Sequence, residues 1–140
     1  MTDAATLDAL RAAAREVAAR AHAPYSRFQV GAAVLWSDGA VSLGVNVENA
    51  SLPLGVCAER HAVAAGVAAG HDQAGPIRAV AVWADSPKAL RPCGGCRQVL
   101  HEFSDARPEE IVVHCSHGEA WEERTLAELL PEPFGPRDWA

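Results

Sequence analysis

The chain is short of positive charge. Its 140 residues carry 12 lysines and arginines against 18 aspartates and glutamates, a formal net charge of −6. A protein that tracks a nucleic-acid backbone needs the opposite balance, because phosphates are met by cationic side chains. A nucleic-acid polymer is therefore a poor partner, and a small neutral or weakly charged ligand fits better. No apolar run approaches the roughly 20 residues that cross a bilayer, so no membrane association is expected. The opening residues, Met1 to Thr6, lack the basic stretch and apolar run of a secretory leader. There is no repeat, no low-complexity tract and no linker long enough to divide the chain, so one domain over residues 1–140 is expected. With 49% apolar and 21% charged residues the composition is that of an ordinary globular protein, and this length is enough to bury a real core. Cysteine is also sparse, at four. Two disulfides would require an oxidising compartment. Without a leader, a cytoplasmic protein with reduced thiols is the expectation.

What is present is a regular alternation of patterns. Leu7, Leu10, Ala14, Val17 and Ala21 recur at helical spacing, with Arg11, Arg15 and Arg20 off that stripe. His22 to Ser26 breaks this helix. Phe28 to Trp36 reads as a strand, Ser37 to Ala40 as a turn, and Val41 to Val47 as the hairpin partner. In that second strand Val41, Leu43, Val45 and Val47 share one face, and Ser42, Gly44, Asn46 and Glu48 the other. Asn46 and Glu48 should therefore project together from the strand's end, although a merely solvated polar face is an equal reading. Cys57 to Ala69 reads as a helix apolar on nearly every side, hence buried, with Glu59, Arg60 and His61 crowded into its first turn. Arg78 to Trp83 and Ile111 to Cys115 read as strands, with another near Ala120 to Glu122. Pro92 opens a helix through Phe103, and Thr125 to Leu130 is a last short helix. This order predicts an α/β fold: a mixed five-stranded sheet with helices on both faces, in three layers.

Two segments carry the chemistry. Pro92-Cys93-Gly94-Gly95-Cys96 places two thiols three apart at a helix start, where they chelate one metal without strain and the helix dipole favours thiolate. Cys57-Ala58-Glu59 supplies a third thiol and a carboxylate at another helix start. Three thiolates hold Zn²⁺ and leave its fourth position open, and a carboxylate beside that position handles protons, which points to hydrolysis by an activated water. A redox Cys-x-x-Cys pair is a rival reading, but it has no use for Cys57 and Glu59. A closed structural site is another, since His61 lies one helical turn after Cys57 and would complete a four-ligand set. Against it, Glu59 would then sit idle beside a saturated ion. Three thiolates leave a bound zinc cluster at −1, and Arg60 beside Glu59 is placed to offset that charge. Cys115 with His114 and His117 suggests a second metal only weakly, because free cysteines on strands are usually buried.

A ligand-x-Glu followed by Pro-Cys-x-x-Cys is the signature of zinc deaminases. With cysteine as the first ligand, the chain closely resembles the small, homotetrameric cytidine deaminases. The resemblance runs almost end to end, through Pro24 to Phe28, Val30 to Ala33, Asn46 to Ala50, Cys57 to Arg60, Pro92 to Leu100, and Leu129 to Pro131 with Phe134-Gly135. It implies the three-layer cytidine-deaminase fold and hydrolysis of cytidine and 2′-deoxycytidine to uridine and 2′-deoxyuridine with release of ammonia. It also implies one Zn²⁺ per subunit on Cys57, Cys93 and Cys96, with Glu59 carrying protons. Asn46 and Glu48 match residues that hold the ribose hydroxyls, Phe28 and Ala58 match pocket residues, and Phe134 matches an aromatic that reaches a neighbouring subunit's site. Gln98 matches a residue close to the zinc ligands. The chain departs from the family pattern at Leu52 and Pro53, where tyrosine and glycine are usual, and at Gly55, where threonine is common. Those positions put the sugar contact in question and leave open a related cytosine compound, such as an antibiotic of the blasticidin type. A zinc-stabilised binding module without catalysis is the remaining alternative.

Overall fold

In the computed structural model, which describes residues 2–139, Asp3 opens the first helix, α1 (Ala4–Val17). Its carboxylate accepts the Thr6 N–H at 2.7 Å, satisfying a donor that a helix start leaves free. The helix stripe expected from sequence is real: Leu10 and Ala14 are buried and pack, with Leu7, on Ala33, Leu35, Ala79 and Ala81 of the sheet. Strands β1 (Val30–Trp36), β2 (Val41–Val45), β3 (Ile77–Ala84), β4 (Val112–His117) and β5 (Ala120–Thr125) form one sheet in the order β2-β1-β3-β4-β5. Only β3 and β4 run parallel, so the sheet is mixed as expected. Helices α2 (Ala58–Ala68) and α3 (Gly94–Glu102) lie together on the face opposite α1. There Ala58, Ala62, Val63 and Leu100 meet Val34, Trp36, Val80, Val82 and Val113 in the larger core. The single turn α4 (Leu126–Leu129) closes the order, capped by the Thr125 hydroxyl on Glu128 N–H. A helix, a sheet and a helix pair give the expected three layers.

One choice that the strand pattern leaves open is settled, and one expectation, burial of α2 on nearly every side, fails. The apolar side of β2 does not face the core: Val41 and Leu43 are exposed, whereas Ser42, Gly44 and Val45 are buried. The small residues face inward because α2 presses directly on them. A Cβ on Gly44 would stand 2.8 Å from Ala62 Cα and closer still to Ala58 O and Ala62 N, so only glycine permits this approach. The Ser42 hydroxyl sits in the same layer, accepting from Trp36 Nε1 at 2.8 Å and donating to Ala62 O at 2.7 Å. Helix α2, in turn, is buried only along Ala58, Glu59, Ala62, Val63 and Gly66. Its other side, with Ala64, Val67 and Ala68, faces outward despite being apolar. Strand ends also differ. β1 begins at Val30 rather than Phe28 and β2 stops at Val45, because the Asn46 side chain takes over the pairing there. It accepts Val30 N–H at 2.8 Å and donates to Phe28 O at 2.8 Å.

Candidate active site and metal centre

Cys57 and Cys93 are the N-cap residues of α2 and α3. Neither makes a capping bond with its side chain, so each thiol is left for another partner at the positive end of a helix. Because α2 and α3 lie side by side, their two starts meet. The sulfurs of Cys57, Cys93 and Cys96 all lie within 4.8 Å of one another, and Cys57 and Cys93 are 3.8 Å apart. Tetrahedral zinc with bonds of about 2.3 Å to sulfur separates its ligands by about 3.8 Å. The spacing therefore fits a zinc ion and is far too long for a disulfide; all four cysteines are free.

The electrostatics of the three thiols fit a cation as well. Burial pushes the Cys57 pKa up, and the nearby Cys93 and Glu59 charges add to this against the opposing Cys96 contact. Burial also raises Cys96, with the Glu59 charge next in importance. Burial works against the Cys93 thiolate too, but the Cys96 backbone N–H, the Cys96 thiol and the Cys57 thiol outweigh it and hold Cys93 below the usual thiol value. One thiolate is thus favoured and two are opposed by burial and by each other. A divalent cation at their centre removes that conflict. Glu59 is 5% exposed. Burial raises its pKa, against its own backbone N–H and the Cys96 thiol. A buried carboxyl that takes up a proton readily, two residues beyond the ligand Cys57, is suited to proton transfer.

The other candidates divide. His61 does not join the sulfurs: its Nδ1 accepts Val45 N–H at 3.1 Å, tying α2 to β2. Among the described residues neither ring nitrogen of His61 joins the metal-sized cluster, so the fourth ligand that a closed structural site would need is not in place. Arg60 is exposed and borders an apolar groove along α2 with Val63, Val67, Val99 and Phe103. Among the described residues it makes no hydrogen bond to a ligand sulfur. Cys115 is fully buried, its pKa pushed up to about 11 chiefly by burial. Among the described residues no metal-sized cluster includes Cys115, His114 or His117.

Asn46 and Glu48 brace the loop around Phe28. Glu48 Oε1 accepts Tyr25 N–H and Ser26 N–H, each at 3.0 Å, and Oε2 accepts the Ser26 hydroxyl. These bonds, the Ser26 hydroxyl first, hold the Glu48 carboxyl below its usual pKa. Arg27, between them, has a left-handed backbone at φ 58°, a strained conformation for a residue with a side chain. Gln98 donates to Phe134 O at 2.7 Å, so its contact is with the C-terminal segment. Phe134 is 59% exposed and meets the Trp139 ring edge-on, with centroids 6.2 Å apart.

Sequence reasoning missed Arg97. Its Nε donates to Pro92 O at 2.7 Å and its Nη1 to Leu129 O at 2.7 Å, which fixes the turn into α3 from behind. The available signal was its place directly after Cys96. It also missed Arg91 and Glu122, which are joined across the sheet.

A family model described as the cytidine and deoxycytidylate deaminase zinc-binding region matches residues 5–115. A cytidine deaminase of Halalkalibacterium halodurans is 43% identical over 118 residues, covering 84% of this chain and 86% of the relative. One of Mycobacterium tuberculosis is 43% identical over 129 residues, covering 92% and 90%. Among solved structures, the cytidine deaminase from Burkholderia pseudomallei superposes with a TM-score of 0.82 at 39% identity, covering 96% of this chain and all of the other (100%).

Proposed function

The chain belongs to the cytidine and deoxycytidylate deaminase zinc-binding family, and from that premise we propose that it hydrolyses cytidine and 2′-deoxycytidine at C4, releasing ammonia and the uracil nucleoside. The observation that carries this reading is the buried Glu59 beside three thiols at zinc spacing. Cys57, Cys93 and Cys96 would hold the ion, which when bound supplies Lewis-acid activation of water. Glu59 takes the proton that the water gives up and passes it to ring N3; it then takes the proton of the new C4 hydroxyl and gives it to the amine, so that the C4–N bond breaks as the C4 carbonyl forms. Its burial raises the carboxyl pKa, which favours taking up the proton it later gives away. Ala58 and Phe28 border the base, and Asn46 and Glu48 meet the ribose with the hydrogen-bonding capacity their loop contacts leave. Arg97 and Gln98 support α3 and the C-terminal segment.

We further infer that residues 1–140 act as one catalytic domain in a homotetramer in the cytoplasm. The exposed apolar side of α2, with Val67 among its residues, shares a groove with exposed Val47, and Leu52 and Leu54 are exposed as well. A partner copy covering that side would complete the burial the α2 sequence predicts. Exposed Phe134 is then available to a neighbour's site. Free thiols at the metal centre suit a reducing compartment, and among the described residues no helix is long and apolar enough to cross a membrane.

Ammonia release with cytidine, deoxycytidine, cytosine, CMP and blasticidin S tests the reaction. Turnover of the two nucleosides supports it. Turnover of blasticidin S alone moves the assignment to a related cytosine compound, and turnover of none leaves a zinc-stabilised binding module. Sedimentation tests the assembly: a fully active monomer refutes the tetramer.

A further inference from the structure

The segment that delivers Cys93 to the metal centre is held at three consecutive residues. Leu90 N–H donates to Ser116 O at 2.9 Å, at the end of β4. Pro92 is buried and its carbonyl accepts Arg97 Nε at 2.7 Å. Between them Arg91 reaches across to Glu122 on β5. Its Nη2 donates to Oε1 at 3.0 Å and lies 2.9 Å from Oε2, so one nitrogen spans the carboxylate. Arg124 approaches the same Oε1 at 2.7 Å from its own strand.

An exposed arginine–carboxylate pair usually contributes little. This one differs in two respects. The Glu122 side chain is only 19% exposed, and it is shared by two guanidiniums in a network. Glu122 also sits opposite Cys115 in the β4–β5 register, so the sheet core fixes its backbone. A rigid strand thus reaches, through one ion pair, a residue two positions before a thiol ligand. The other two anchors hold backbone atoms, and Arg91 supplies the only side-chain tether among the three.

We infer that Glu122 is a positioning residue for the metal centre: through Arg91 it fixes the approach to Cys93 and so the arrangement of the three thiols. The inference rests on the zinc-holding role given to Cys57, Cys93 and Cys96. Arg124 shares the carboxylate but is not attached to the ligand segment, which makes it an internal control. Contacts that orient metal ligands from outside typically carry about 10- to 100-fold in metal affinity.

The test is zinc release to a chromogenic chelator from the intact, zinc-loaded protein, together with the thiolate charge-transfer and ligand-field spectrum of the cobalt-substituted form. Arg91→Met and Glu122→Gln should each speed zinc release about tenfold and alter the cobalt bands. The double variant should be no faster than either single one. Arg124→Met should lower the urea midpoint while leaving zinc release and the cobalt spectrum as in wild type. Wild-type release from Arg91→Met, or equal acceleration by Arg124→Met, overturns the inference. If Glu122→Gln does not fold, Arg91→Lys carries the test: its ammonium cannot reproduce the guanidinium's planar geometry, and release intermediate between wild type and Arg91→Met is expected, whereas wild-type release again overturns it. No nucleoside enters these measurements, so they stand even if the protein turns over none. A wild-type protein that binds no zinc would refute the functional reading instead.

Discussion

Gly44→Ala tests whether the closeness of β2 and α2 is what places the metal ligands. The added methyl would lie 2.8 Å from Ala62 Cα, about 0.6 Å short of the 3.4 Å at which ordinary contact begins, and nearer still to Ala58 O. These are backbone atoms of the first turns of α2, immediately after Cys57, and no rotamer change moves them aside. β2 is an edge strand and yields part of the distance. If it takes half, the start of α2 still moves by at least about 0.3 Å, since Ala58 O and Ala62 N are closer still, and this is beyond the roughly 0.2 Å that a metal site tolerates in its distances. Overpacking of this kind costs about 1–3 kcal/mol of stability. Gly31→Ala is the matched control. Its Cβ would stand 2.8 Å from Ala18 N and closer to Ala14 O, on the other face, where α1 carries no site residue. Both variants should lose comparable stability in urea. Only Gly44→Ala should lose zinc affinity in chelator competition, and ammonia release with it, at a temperature where both remain folded. Equal loss of zinc affinity in the two variants, or wild-type affinity in Gly44→Ala, would refute the reasoning.

Glu59→Gln keeps the shape of the side chain but cannot carry a proton, so zinc content by metal analysis should be unchanged while turnover falls to near zero; substantial remaining activity sinks the proton-transfer role. Ser42→Ala leaves the Trp36 indole N–H without its partner inside the core. Chemical denaturation should register a loss of about 1–3 kcal/mol. His114 is fully buried on β4, with Nδ1 accepting from Arg11 Nη2 at 2.9 Å and Nε2 without a partner among the described residues. Burial first, then the Arg11 charge, holds its pKa below 6.5 against the pull of Glu123. The unfolded chain therefore takes up this proton first, and stability should fall as pH drops below about 6.5, by up to about 1.4 kcal/mol per pH unit, levelling off below the folded pKa. The difference between wild type and His114→Gln, which keeps an acceptor for Arg11, isolates this slope; parallel stability–pH curves contradict it.

Local spacing was readable in the sequence. Cys93 and Cys96 are one helical turn apart, Cys57 and Glu59 are two residues apart, and each pair begins a helix in the structure as expected. What escaped depends on residues distant in sequence. Alternation in β2 revealed two faces but not which one turns inward. That was decided by Gly44 against α2, a choice of size over hydrophobicity made only once the helix is docked. The uniform apolarity of α2 read as burial on all sides, yet one chain covers only one of them. Asn46 and Glu48 were placed correctly at the strand's end, but their bonds to Val30, Phe28, Tyr25 and Ser26 required the loop's path. Arg91 and Glu122 lie 31 residues apart and meet only because β5 pairs with β4. The reacting groups are therefore legible because metal chelation demands fixed short spacings. The groups that hold them in place can come from any strand that folds nearby, and no local pattern is required of them. It follows that substitutions disturbing the site without touching it should concentrate at Gly44, Arg91 and Glu122, where one element bears directly on a helix start that carries a thiol.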